Sequence, residues 1–209
     1  MSAILKEKRT VFIAFLLLCS FLFSFTSCST PPPELETVKD EYISLIEASV
    51  EVNDFIFGEG LSVYDREGTG GEKQLYLNLA GVLDNYEYVR EDSKFLTIES
   101  MKIAAELVYT PEYLKSAYLM AFDGYADEVA GVSAARYLEW DNWLYKSMLY
   151  EPLIEGTRTY NYDTMKIVKP SNGEYVNVSI ESELDGVKTT LTLAFSLTEN
   201  GWRLDTPTY

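Results

Sequence analysis

Few side chains in this chain can do chemistry. There are two thiols, Cys19 and Cys28, and no histidine. That excludes Ser-His-Asp and Cys-His nucleophilic catalysis and removes the commonest zinc ligand. It also removes the side chain that titrates most easily near neutral pH. Carboxylates are abundant, with 33 Asp and Glu against 17 Lys and Arg. Asp123, Asp127 and Glu128 cluster, and Glu139 and Asp141 flank Trp140. Paired carboxylates beside tryptophan would suit glycoside hydrolysis, one as acid and one as base or nucleophile. At roughly one acidic residue in six, such clusters also arise by chance. Asp123-Gly124-Tyr125-Ala126-Asp127 starts like a calcium loop but lacks the alternating ligand series and closing Glu of an EF-hand. Gly58-Glu59-Gly60 and the glycines at 68–71 lack the spacing of a phosphate-binding loop. The sequence therefore predicts no catalytic residue, metal or cofactor. Aromatic residues are the other resource, with 16 Tyr and 3 Trp. Tyr137, Trp140, Trp143, Tyr145 and Tyr150 form the densest group, and such side chains anchor interfaces and stack on sugar rings. They are the expected recognition surface.

Cys28 has a specific context. Lys6, Lys8 and Arg9 precede an apolar run, Val11 to Phe25, which leads to Thr26-Ser27-Cys28 and then Ser29-Thr30-Pro31-Pro32-Pro33. A basic start, an apolar run and small residues make a secretory signal. The run has 15 residues, short of the roughly 20 that cross a bilayer as a helix. The arrangement resembles a bacterial lipoprotein signal peptide, with Phe25 where Leu is usual. The resemblance implies cleavage before Cys28, a diacylated (palmitate-type) cysteine and tethering outside the cytoplasmic membrane. Two acyl chains meet the requirement for stable anchoring. Residues 1–27 are then the leader, 28–33 the tether and 34–209 one domain. Removing the leader takes away three basic and one acidic residue, leaving 14 and 32, a net charge of −18. That charge repels phosphates and argues against nucleic acid as a ligand. No disulfide is possible within the remaining chain.

These groups need elements to hold them. Leu35, Val38, Tyr42, Leu45, Ile46 and Phe55-Ile56 recur at helical steps from Glu34, and Gly58-Glu59-Gly60 stops that helix. Arg66–Glu72 reads as a polar loop and Tyr86–Val89 as a short strand. Thr97 and Thr110-Pro111 start two further helices, the second ending at Gly124. Residues 125–135 read as a loop or frayed helix, and 136–150 as containing a strand. The last third alternates with period two. Its strands are separated by Pro170–Gly173, Asp185-Gly186 and Asn200-Gly201. Helices first and strands last predict an α+β class, with N-terminal helices packed on a C-terminal antiparallel meander.

The closing Asn200-Gly201-Trp202-Arg203-Leu204-Asp205 is similar to the end of NTF2-like or cystatin-like domains, which implies fold only. The run from Tyr86 through Phe95–Ser100 to Ala105–Leu114 resembles secreted DL-endopeptidase inhibitors of Gram-positive bacteria. That likeness implies a cell-wall hydrolase as partner. The expected function is a lipid-anchored extracytoplasmic binding protein without catalytic activity, an inhibitor of such a hydrolase in its sharpest form. A glycan or small-ligand binding module, an acidic-residue glycoside hydrolase and a wall-associated spacer are the alternatives. A pocket enclosed by helix and curved sheet would favour the small-ligand module.

Overall fold

The structure is a computed structural model that describes residues 30–64, 76–78, 85–127, 131–133, 135–154, 156 and 158–209. The leader, Cys28, the Arg66–Glu72 loop and Glu128 lie outside these residues. Every element below belongs to one compact unit, Pro32–Tyr209. None of the described helices is long and apolar enough to cross a membrane.

Helix α1 runs Leu35–Phe57. Tyr42, Leu45, Ile46, Ser49, Val52, Asn53 and Ile56 form its buried stripe at helical spacing, and Phe55 and Phe57 are buried beside it. Gly58 caps it, at a position where a Cβ would stand 2.6 Å from Asp54 Oδ1, and Gly60 follows at φ +77°. No basic residue stands in the last turn of α1. The cations that offset its negative end arrive from far along the chain. Arg136 Nη1 donates to Ile56 O (2.8 Å) and Nη2 to Gly58 O (2.5 Å), and Lys146 Nζ donates to Glu59 O (3.0 Å). Helices α2 (Ile98–Glu106) and α3 (Pro111–Tyr118) open on the expected caps, Thr97 accepting from Ser100 N and Thr110 from Tyr113 N. A π-helical turn, Leu119–Asp123, extends α3 to Gly124 at φ +68°.

There are ten strands among the described residues: β1 (Tyr76–Asn78), β2 (Asn85–Tyr88), β3 (Tyr125–Asp127), β4 (Gly131–Ser133), β5 (Tyr137–Trp140), β6 (Trp143–Ser147), β7 (Thr159–Val168), β8 (Tyr175–Leu184), β9 (Val187–Thr198) and β10 (Gly201–Leu204). They form two antiparallel four-stranded sheets, β1-β2-β6-β5 and β10-β9-β8-β7, and the hairpin β3-β4. The class is α+β. The arrangement differs from helices first and strands last, since a complete sheet is assembled before the C-terminal meander. Residues expected as loop or frayed helix at 125–135 hold β3 and β4.

Helix α1 packs on β10 and β7 of the meander. Val176, Val178 and Ile180 of β8 face Phe195, Leu193 and Leu191 of β9 in register, and they line the core. Tyr42 stacks on Phe195 at 3.9 Å between ring centroids and meets Trp202 edge-on at 5.4 Å. The closing strand is tied on both sides. Trp202 N donates to Glu41 Oε1, while Leu204 exchanges backbone bonds with Val108 and Thr110. Arg203 Nε donates to Glu106 O at the end of α2. The alternation along β9 does not stay buried throughout. Val187 is 68 % exposed and Thr189 is exposed, although both share the face of Leu193 and Phe195. Among the described residues no helix covers that end of its inner face.

Candidate functional site

The five aromatic residues expected to act together are divided by the pleat of β5 and β6. Trp140 and Trp143 face each other in register across the Asp141-Asn142 turn, whose residues have φ +49° and +66°. They are 54 % and 46 % exposed. Tyr145 shares their face but is buried against Tyr88, which also meets Trp143 edge-on (4.9 Å) and stacks on Tyr64 (5.5 Å). Tyr137 points the other way into the main core, fully buried, and its hydroxyl accepts from Leu61 N. Tyr150 is half-buried beyond β6. An exposed tryptophan pair at a hairpin tip is what remains of that surface.

The acidic pairs do not converge either. Glu139 Oε1 accepts from Ile98 N (2.5 Å) at the start of α2, on the opposite face of β5 from Trp140. Asp141 sits in the turn. Asp123 lies 3.8 Å from Lys102. Among the described residues no group of three His, Cys, Asp or Glu side chains could hold a metal ion.

A concave site lies elsewhere, where α1 ends and the meander runs past it. A cavity of about 430 Å³ opens there. Val50, Asn53, Asp54, Gly58 and Glu59 form its helix wall, and Arg158, Tyr160 and Leu184 its sheet wall. Ile154, Gly156, Thr208 and Tyr209 close it. A buried polar network fixes the floor. Tyr109 Oη donates to Asn53 Oδ1 (2.8 Å), and Asn53 Nδ2 donates to Thr208 Oγ1 (2.8 Å). Ser49 Oγ lies 2.6 Å from the same Thr208 hydroxyl, and Tyr160 Oη donates to the Thr208 carbonyl. Thr208 is thereby held, and Tyr209 rests on Phe57 at 5.1 Å between rings. Burial raises the Tyr109 phenol above its usual range, and hydrogen bonding with Thr208 and Asn53 holds the rise back. Burial pushes Tyr160 up to about 12 against the opposing pull of Arg158.

Two charged groups of opposite sign face this space from different walls. Arg158 Nη1 donates to Ser182 Oγ (2.9 Å), and its Nε is buried with no partner among the described residues. No carboxylate among those residues comes within ion-pair distance of it. Across from it, the Asp54 and Glu59 carboxylates carry no hydrogen bond or ion pair among the described residues. Lys146 donates to the Glu59 carbonyl, and its charge interacts with both carboxylates without an ion-pair contact. The chemistry this permits is recognition by charge, hydrogen bond and apolar contact.

None of these residues stands out in the sequence as a site. Ser49 and Asn53 are the one local signal: polar residues four apart on the buried stripe of α1. Such residues need partners, and here the partners come from Tyr109 and Thr208. No protein-family model matches the chain, and no curated protein matches it significantly.

Proposed function

We propose that the protein is a lipid-anchored, extracytoplasmic binding protein that holds a small ligand in the cavity between α1 and β7–β8. The observation that carries this reading is the cavity itself, with apolar Val50, Ile154 and Leu184 and charges of opposite sign on facing walls. A helix laid across an antiparallel meander supports an NTF2-like or cystatin-like domain as its frame. The anchoring part rests on the basic start, apolar run and Thr26-Ser27-Cys28 junction. Cys28→Ser should release the protein to the medium or leave it as unprocessed precursor, with its circular dichroism unchanged. Membrane retention of a mature-sized variant would remove the lipid from the account. The binding part is tested by filling the cavity from its solvent side. Val50 lines the cavity and is half exposed, so Val50→Trp should abolish ligand retention without disturbing the core.

A second reading is favoured by the exposed Trp140–Trp143 pair. A protein partner, such as a cell-wall hydrolase, would dock on that hairpin tip, where aromatic anchors concentrate binding energy. Its association would be fast and salt-sensitive, given the acidic surface of the domain.

A further inference from the structure

The charges that face the cavity narrow the class of ligand, on the premise that the cavity is a ligand site. We infer that it takes a zwitterion with an apolar body: an amino acid or short peptide with a free amine and a free carboxylate. Arg158 stands on the sheet wall and Asp54 and Glu59 on the helix wall. A purely anionic ligand would satisfy Arg158 and meet two carboxylates. A purely cationic ligand would do the reverse. A molecule with both charges satisfies both walls through charge-assisted hydrogen bonds, with Arg158 partly buried and Asp54 and Glu59 on the exposed side of the cavity.

The remaining lining fits the body of such a molecule. Val50, Ile154, Leu184 and the Tyr209 ring supply apolar contact. The Asn53–Thr208–Tyr109 network spends its donors and acceptors internally, so it shapes the floor and does not read the ligand. Arg158 is the group built to read a carboxylate. Its guanidinium is held by one bond, Nη1 to Ser182, which leaves the rest of the fork without a carboxylate partner among the described residues. A volume of about 430 Å³ holds an amino acid or a dipeptide and excludes a folded partner.

The test uses the full chain in detergent micelles and four probes: leucylleucine, its N-acetyl form, its amide, and the form blocked at both ends. Calorimetry gives the affinities, and backbone amide shifts locate each probe. Leucylleucine should bind most tightly, and blocking either end should weaken binding at least about tenfold, the loss of one charge-assisted bond. In Arg158→Gln the free acid and the amide should bind within about threefold of each other. In Asp54→Asn/Glu59→Gln the acetyl group should cost nothing. Unchanged affinity of the doubly blocked probe for both variants verifies that they fold. Equal affinities for all four probes, or no binding of the free dipeptide, would overturn the zwitterion. If only the doubly blocked probe shifts the amides of Asn53, Gly156 and Thr208, the cavity remains a ligand site and the zwitterion falls. If no probe shifts them, both readings fall.

Discussion

Tyr42→Ala should lower the unfolding free energy by about 3–5 kcal/mol, the range for an aromatic side chain lost from a core. Tyr42 is fully buried, stacked on Phe195 and edge-on to Trp202, so three elements close on one ring. No described neighbour would move easily into the space, because Phe195 is held in register with Val176 and Trp202 is tied to Glu41. Tyr42→Phe should behave differently. The Tyr42 hydroxyl is buried with no partner among the described residues. Removing it discards a desolvated group and loses no bond, so stability should hold or rise by up to about 1 kcal/mol. Urea unfolding at constant m-value checks both variants. A cost of about 2 kcal/mol for Tyr42→Phe would reveal a hydrogen bond that this account lacks.

The second large effect is alkaline unfolding. Burial raises the phenols of Tyr109 and Tyr137, and Tyr137 reaches about 12 with Arg136 holding the rise back. An acid whose folded pKa lies above its unfolded value near 10 keeps its proton longer when folded. The folded state then binds more protons above pH 10, and stability falls as pH rises through that window. Tyr137 alone withdraws roughly 2–3 kcal/mol between pH 10 and 12. Tyr42, Tyr113 and Tyr118 are raised as well, each mainly by burial. Lys146, lowered by burial and then by Arg136, acts in the opposite direction. Against a total of about 5–15 kcal/mol, the Tyr137 loss is a large fraction, and the other raised tyrosines add to it. With no histidine in the chain, stability should be nearly flat between about pH 6 and 9. Phenolate absorbance and circular dichroism should therefore change together at high pH. Titration of all phenols near pH 10 with the fold intact would contradict this.

Local signals in the sequence were legible where one residue decides one conformation. Thr97 and Thr110-Pro111 open helices, and Asp185-Gly186 turns the chain at φ +52° and +80°. The alternation of β8 was legible because one face is buried along most of its length. The alternation of β9 misled at Val187 and Thr189, since a period of two says which side chains share a face and not what covers that face. Strands β3 and β4, three residues each, were too short for any period to emerge. The cations that finish α1 and α2 were invisible for another reason. Arg136, Lys146 and Arg203 lie 78 to 97 residues from the carbonyls they meet. The cavity shares that property. Its walls come from α1, the segment after β6, β7, β8 and the tail after β10, and no window of sequence brings Asn53, Arg158 and Thr208 together. The aromatic segment was visible as composition, but the pleat of β5 sends Tyr137 into the core and leaves Trp140 at the tip.

The cavity is tested most directly by native mass spectrometry of the full chain released in detergent from its own membranes. The parent chain should carry a noncovalent adduct of amino-acid or short-peptide mass. It should be absent from Val50→Trp and kept by Trp140→Ala/Trp143→Ala. An adduct that survives Val50→Trp and disappears with the two tryptophans would move recognition to the hairpin and contradict the account.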